Sequence, residues 1–146
     1  MDMLTLLVVG HLTSTSVLAG IIWTVQVVHY PLMTLVGEER FVAYEAAHSP
    51  RMAAVVMLPW TLQGMTTLGL LLARPPGVPT ALVVTAAVLA ATPVVVTVGA
   101  SVPAHVRLGT GFDSATHRRL VRTNWIRTAA WTAHVPVAVA ILLRAG

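Results

Sequence analysis

Residues 80–100 read TALVVTAAVLAATPVVVTVGA, a run without a single charged side chain. At about 1.5 Å of rise per residue, a helix of this length crosses the hydrocarbon core of a bilayer, which is about 30 Å thick. Three more apolar stretches of similar or greater length occupy positions 4–30, 51–73 and 124–143. Backbone groups in lipid must be hydrogen-bonded internally, and the runs lack the alternation of barrel strands, so each predicts a membrane-spanning helix.

The composition argues against an ordinary soluble domain. Of the 146 residues, 56% are apolar and 10% are charged, whereas soluble domains carry about 25% charged residues. A soluble domain of this size buries only about 70% of its chain surface and could not hide so much apolar surface. The sequence therefore predicts an all-α fold: one integral membrane domain, residues 1–146, built as a four-helix bundle with short amphipathic interfacial helices. Cysteine is absent from the sequence, which excludes disulfides and thiolate metal sites.

The connection between the first two spans, residues 36–48, is expected to form one of these short amphipathic helices. It carries a Glu-x-x-His pair, Glu45 and His48, whose side chains lie one turn apart on the same helical face. Ser49 and Pro50 then predict a new helix start, because serine caps helix N-termini and proline suits the first helical position. The second span is accordingly expected to begin near residue 51.

The connection between the last two spans, residues 109–123, begins with a Gly-Thr-Gly turn. Asp113 or Ser114 is expected to cap a helix that continues into the fourth span. Arginines are unequally divided between the two membrane faces. The face with the long connections holds Arg40, Arg51, Arg107, Arg118, Arg119, Arg122 and Arg127, and the opposite face holds Arg74 and Arg144. The positive-inside rule then predicts cytoplasmic long connections and both termini outside.

Polar side chains from three helix ends are expected to meet at this arginine-rich face: His29, Glu45, His48 and His105. Asn124 and Arg127, at the start of the fourth span, add the fourth helix end. Imidazole nitrogens and carboxylate oxygens suit iron, copper or zinc, so the three histidines and Glu45 are the predicted metal ligands. Iron or copper is the expected cofactor. Gln26, on the same helical face as His29, is the expected partner that orients this histidine.

The fourth span carries a polar stripe, because Asn124, Arg127, Trp131 and His134 recur at i, i+3, i+7 and i+10. A charged side chain that faces lipid costs about 3 kcal/mol on insertion scales, so the stripe is expected to face the bundle interior. Asn124 and Arg127 are the predicted catalytic residues that orient a substrate or an anionic intermediate. Tyr44 is a further catalytic candidate at the same membrane face.

Two other histidines have different expected surroundings. His11, near the opposite face, is expected to form a hydrogen bond between helices with His134 or a threonine. His117 lies in a charged run and is expected to be solvated. Whether His11 and His134 form a second site is left open by the sequence, since paired histidines from two helices can also ligate haem.

The polar segments carry a resemblance to a known family. They are Tyr30-Pro-Leu, residues 41–51 (FVAYEAAHSPR), residues 102–113 (VPAHVRLGTGFD) and residues 120–131 (LVRTNWIRTAAW). They resemble an uncharacterised family of small four-helix bacterial membrane proteins, which implies the bacterial inner membrane as the location. The chain is more distantly similar to anthrone-oxygenase-like membrane proteins, which implies oxidation of a hydrophobic aromatic substrate. In the close family a second histidine is expected where this chain has Glu45.

The leading prediction is a membrane-embedded, metal-dependent oxidoreductase or oxygenase that acts on a lipophilic small molecule at the cytoplasmic interface. The alternative is a non-enzymatic protein that binds haem, quinone or a metabolite, or a small transporter subunit; a structural partner of a larger complex is a third possibility. The expected partners are the lipid bilayer and the lipophilic molecule, with a homo-oligomer as a further prediction. The arginines are scattered and aromatic residues are few, so nucleic acid is not an expected partner.

Overall fold

Four long helices account for nearly all of the computed structural model, which describes residues 2–146. They are α1 Met3–Met33, α2 Glu38–Leu72, α3 Thr80–Leu108 and α4 Ser114–Ala145. Each helix is long and apolar enough to cross a membrane, with a mean hydropathy between 1.4 and 2.4 over its most apolar window. The predicted all-α fold with four helices of membrane-spanning character is therefore confirmed.

Helix α4 is the centre of the packing, because it lies against both α1 and α3. Helix α1 also packs against α2, and the smaller contact between α2 and α3 leaves a groove at one side of the bundle. Short connections make successive helices antiparallel. The buried apolar side chains form two clusters along the bundle axis, one around Leu18 and Trp131 and the other around Val8 and Ile141. Large apolar side chains such as Leu58 point outward, as on a lipid-facing surface.

Two of the helices contain one π-helical turn each, Val25–His29 in α1 and Thr97–Ser101 in α3. Each turn begins six positions before a proline, Pro31 or Pro103. Proline has no N–H and its ring crowds the carbonyl four residues earlier, and the wider π turn accommodates this misfit. The turns also rotate the side chains around them away from the directions that an unbroken α-helix would give.

One predicted boundary was wrong, because α2 runs without a break from Glu38 to Leu72 through Pro50. The N-cap of this helix is Gly37, and Ser49 does not cap a second helix. Its hydroxyl instead donates a hydrogen bond to Glu45 Oε1 at 2.9 Å. A membrane helix tolerates the loss of the one backbone hydrogen bond that proline removes. The predicted amphipathic helix between the first two spans is thus the first part of α2.

The start of α4 agrees with one prediction and corrects another. Asp113 caps the helix and accepts hydrogen bonds from the backbone N–H groups of Ala115 and Thr116, both at 3.2 Å. The Thr116 hydroxyl also donates to this carboxylate, and together these bonds hold the pKa of Asp113 below its usual value. His117 was predicted to be solvated, but it is buried, with Nε2 2.9 Å from the Tyr30 carbonyl oxygen. It satisfies a carbonyl near the end of α1, where helical partners run out.

Gly77, in the turn between α2 and α3, provides a test of the packing at the other end of the bundle. Its φ of 73° lies in the left-handed region, and a Cβ there would stand 2.7 Å from the Arg144 backbone oxygen. We expect Gly77→Ala to lower the free energy of unfolding by at least about 1–2 kcal/mol, because the backbone conformation alone costs that much. The measurement is the thermal midpoint in detergent. Gly64→Ala is the matched control, since a Cβ there meets nothing within 4 Å in the described chain, and equal midpoints for the two variants would contradict the prediction.

Candidate functional site

The structure brings the four predicted ligands together at the end of the bundle where α1 and α3 finish and α2 and α4 begin. The His29 and His48 rings stack with centroids 4.3 Å apart, and the His48 and His105 centroids are 5.4 Å apart. Glu45 lies on the inner side of this group, with 2% of its surface exposed. The predicted meeting of helix ends is therefore present in the fold.

A chain of three polar groups runs through this cluster. Glu45 Oε1 accepts a 2.6 Å hydrogen bond from His105 Nδ1, and His105 Nε2 lies 3.4 Å from the Tyr30 hydroxyl oxygen. Because Nδ1 donates to the carboxylate, the neutral ring carries its lone pair on Nε2, which accepts the long hydrogen bond from the Tyr30 hydroxyl. A buried carboxylate that fixes a histidine tautomer in this way also stabilises the imidazolium formed when Nε2 takes a proton.

The arrangement does not fit a bound metal ion. Among residues 2–146, no group of three or more histidine, aspartate and glutamate side chains is placed to hold one. The His29 and His48 rings are nearly parallel, 19° apart, so their in-plane lone pairs point along separate planes and do not converge on one ion. Glu45 and His105 are hydrogen-bonded to each other at 2.6 Å, which occupies one potential ligand atom of each. Iron or copper at this cluster stays a prediction from the sequence.

A cavity of about 280 Å³ lies inside the bundle beside the cluster, near the lower end of the sizes found for small-molecule sites. Its polar wall is formed by Tyr30, His48, His105 and Arg127, with Thr97 and Ser101 from the π turn of α3. The rest of the wall is apolar. Its members include Leu18, Ile22, Val56, Met57, Trp60 and Trp131.

The cavity borders a second space of about 380 Å³, the groove between α2 and α3 on the outside of the bundle. The two spaces share the side chains that separate them: His48, Met52, Ala53, Val102 and His105. Small residues, including Ala46 and Gly109, line the outer part of the groove. His105 is therefore in the wall of both the internal cavity and the outer groove.

Arg127 is buried in the cavity wall, with 8% of its surface exposed. Its Nη1 is 3.4 Å from Ser101 Oγ, and its guanidinium carbon lies 5.5 Å from the centroid of the Trp131 ring, a cation–π distance. The Nε atom has no hydrogen-bond partner in the described part of the chain. Both ion pairs found within residues 2–146 involve other side chains, so this buried cation is without a carboxylate neighbour.

Four predicted site residues lie outside the cavity wall: His29, Tyr44, Glu45 and Asn124. Asn124 is fully buried and donates from Nδ2 to Gln26 Oε1 at 2.7 Å, which joins α4 to α1. Gln26 was predicted to orient His29, but the π turn directs it to α4 instead. Tyr44 and His29 line an outer depression with His48, and the Tyr44 hydroxyl is 3.4 Å from His29 Nε2. Of the predicted site residues, His48, His105 and Arg127 line the cavity itself.

The polar stripe of α4 continues into a hydrogen-bonded network at the floor of the cavity. Trp131 Nε1 donates to Gln63 Oε1 at 3.1 Å, and an indole N–H can only donate, so the orientation of the Gln63 amide is fixed. The amide nitrogen then donates to Thr15 Oγ1 at 3.0 Å and to His134 Nδ1 at 3.3 Å. His134 must therefore carry its proton on Nε2.

The network ends at the pair of histidines predicted to meet between helices, and that contact is confirmed. His134 Nε2 donates to His11 Nε2 at 3.1 Å, and His11 Nδ1 donates to Thr66 Oγ1 at 3.1 Å. Thr66 in turn donates to the Leu62 carbonyl at 2.8 Å. Two imidazoles in trans positions on a haem iron, each with a bond of about 2 Å, would have their nitrogens about 4 Å apart. The pair is thus too close to hold a haem iron between its two rings, and its contact is a hydrogen bond between helices α1 and α4.

Sequence reasoning missed Thr97, Ser101 and Gln63 as parts of the site. Thr97 and Ser101 are the first and last residues of the π turn in α3, and both line the cavity. Gln63 is the junction of the buried network, with hydrogen bonds to Thr15, His134 and Trp131. No family model, curated protein or solved structure matched the chain. Fold and site together define a four-helix bundle of membrane-spanning character with an internal, laterally accessible cavity.

Replacing Gln63 tests the network. We expect Gln63→Leu to lower the free energy of unfolding by at least about 2 kcal/mol, because Trp131, His134 and Thr15 lose their partner and each unpaired buried group costs about 1–3 kcal/mol. The measurement is denaturant or thermal unfolding in detergent. Thr92→Val is the control, since the Thr92 hydroxyl bonds only to its own helix, at the Val88 carbonyl. A Gln63→Leu variant as stable as this control would show that the network contributes little.

Proposed function

We propose that the protein is a membrane-embedded oxidoreductase or oxygenase that acts on a lipophilic small molecule at the cytoplasmic interface. The observation that carries the proposal is the Glu45–His105 pair, whose free imidazole face lines an otherwise largely apolar cavity. Acid–base pairs of this kind in enclosed pockets are typical of enzyme sites. The lateral groove supports a substrate that arrives from the bilayer.

In the proposed step, His105 Nε2 accepts a proton from an acidic C–H or O–H group of the substrate. The electron pair stays on the substrate as an enolate or phenolate, and the Arg127 guanidinium in the same cavity wall favours that negative charge. Glu45 stabilises the imidazolium through the 2.6 Å hydrogen bond to Nδ1. Every group in this step belongs to the chain itself.

Dioxygen is the oxidant that we assign to the oxygenase form of the reaction, since an enolate is electron-rich. Oxidation of one CH₂ group to a carbonyl consumes one O₂ and releases one water, so atoms and electrons balance. The resemblance to anthrone-oxygenase-like proteins supports a hydrophobic aromatic ketone as the substrate. Iron or copper would supply the same redox chemistry in the metal-dependent form predicted from the sequence.

We place the site at the cytoplasmic face of a bacterial inner membrane, with both termini outside. The unequal distribution of arginines supports this orientation, and the family resemblance supports the bacterial location. The second candidate function is a non-enzymatic carrier of a quinone or other lipophilic metabolite. The cavity and its lateral groove favour that candidate as well, because both would be needed for binding without any chemistry.

Deuterium exchange into anthrone separates the two candidates. The purified protein, kept under nitrogen in detergent and D₂O, is expected to accelerate exchange at the anthrone CH₂ group by about 10²-fold or more over buffer, the usual contribution of a general base. His105→Ala should abolish the acceleration, and Glu45→Gln should reduce it by about tenfold or more. Mass spectrometry measures the deuterium uptake. His29→Ala is the matched control, since His29 lies outside the cavity wall.

Binding of anthrone without accelerated exchange would contradict the acid–base proposal and favour the carrier. Metal analysis of the same preparations tests the remaining prediction. Stoichiometric iron or copper in the wild type, absent from His48→Ala and His105→Ala, would establish the metal-dependent form. It would also contradict the interpretation that the arrangement does not fit a bound metal ion. Oxygen uptake under air then reports whether the exchange leads to oxidation.

Lateral access is tested at Ala53, which lines both the groove and the cavity. Ala53→Phe fills the shared wall, so we expect the exchange rate at low anthrone concentration to fall at least about fivefold, a size effect in keeping with the tight packing of side chains. Ala54→Phe is the control, because Ala54 is exposed on the neighbouring face. Equal rates for the two variants would show that the substrate reaches His105 by another path.

A further inference from the structure

We propose that the cavity selects lipophilic molecules that carry one ionised oxygen group, a carboxylate or a phenolate, and that Arg127 binds this group. The inference rests on the proposed function and deepens it by naming the substrate class. It is carried by the hydrogen-bonding groups that the cavity wall leaves unused and by the uncompensated charge of Arg127.

Arg127 presents more donors than the chain employs. A guanidinium has five N–H donors and no acceptor. This one makes a long 3.4 Å hydrogen bond to Ser101 and lies close to the Tyr30 hydroxyl, which leaves most of its donors unused. Its Nε is buried and without a partner among residues 2–146. A guanidinium in this state matches the two oxygens of a carboxylate, which it can bind through parallel N–H groups.

Thr97 adds a second unused group to the same wall. Its Oγ1 is buried and lacks a hydrogen-bond partner within the described chain. Thr97 and Ser101 mark the first and last positions of the α3 π turn, and both line the cavity with Arg127. Hydroxyl and guanidinium donors from two helices thus surround one corner, which is how proteins bind an oxyanion without a metal.

Arg127 makes no ion pair with an acidic side chain among residues 2–146. Glu45 is the acidic residue of the cluster, and its Oε1 is committed to His105 and Ser49. Asp113 pairs with Arg107 at the surface, at 3.4 Å. A buried arginine inside a membrane protein is normally paired with an acid or with backbone oxygens. A ligand oxyanion would provide the pairing that the described side chains leave open.

The remaining wall restricts the rest of the ligand. Apolar side chains, with Trp60 and Trp131 among them, surround most of the 280 Å³, so the body of the molecule is apolar and no larger than two or three fused rings. A second ionised group would find no counter-charge among the described wall residues. The ligand class is therefore a lipophilic monoanion.

The test compares 2-naphthoate with its neutral isostere 2-naphthamide, using equilibrium dialysis of the purified full chain in uncharged detergent. We expect the wild type to bind naphthoate at least about 30-fold more tightly than naphthamide. Arg127→Gln should reduce that ratio to below about threefold while naphthamide binding persists, and Thr97→Val should reduce it by a smaller factor. Arg122→Gln, which removes an exposed arginine of the same helix, should leave the ratio unchanged.

Equal affinities for naphthoate and naphthamide in the wild type would overturn the proposal, as would an unchanged ratio in Arg127→Gln. Absence of binding by naphthoate and by the linear probe decanoate would overturn it too. The ratio in Glu45→Gln separates this inference from the catalytic one. That variant is expected to keep the preference for naphthoate while its deuterium-exchange activity falls. The binding ratio therefore tests the anion proposal, and the exchange rate tests the catalytic proposal independently. Circular dichroism and gel filtration confirm that each variant is folded.

Discussion

Buried polar side chains in this bundle must find their hydrogen-bond partners inside it, because a helix surface that faces hydrocarbon offers none. The two halves of the molecule meet this constraint differently. Around His11, Gln63 and His134 each ring and amide N–H donor is matched to an acceptor, and one set of tautomers satisfies these hydrogen bonds. The buried atoms left unpaired in the described chain belong to Glu45, Thr97, Asn124 and Arg127, all in the half that holds the cavity. The paired network around Gln63 thus lies below a site in which several buried polar atoms have no hydrogen-bond partner.

The two π turns explain how polar side chains are directed into the bundle. A proline in α1 and another in α3 each follow a π turn, and the turn in α3 presents Thr97 and Ser101 to the cavity. The turn in α1 sends Gln26 to Asn124, which ties α1 to α4 beside the site. π turns occur often at functional sites because the extra residue changes the direction of a side chain without ending the helix. In this protein the π turns both shape the cavity wall and fix the helices around it.

The sequence predicts the features that depend on long-range periodicity and misses those that depend on local misfit. Apolar length predicts four helices, and the spacing of Arg127, Trp131 and His134 predicts a buried stripe, because both follow from the regular α-helix. The continuity of α2 through Pro50 is not predictable from capping rules, since tertiary packing compensates for the lost hydrogen bond. His117 was misplaced for a similar reason: a charged neighbourhood says nothing about the carbonyl at the end of α1 that it satisfies.

The carboxylate at position 45 decides what chemistry the histidine cluster can perform. The family resemblance implies an imidazole there. A neutral imidazole could accept a hydrogen bond from His105 Nδ1 but would stabilise positive charge on that ring less than a carboxylate does. Glu45 does both, because its Oε1 is 2.6 Å from Nδ1 and carries negative charge in a site shielded from water. The same bond withdraws Glu45 and His105 from joint metal ligation. In the proposed function, a carboxylate in place of an imidazole therefore favours proton transfer over metal ligation, with His105 Nε2 as the atom that accepts the proton.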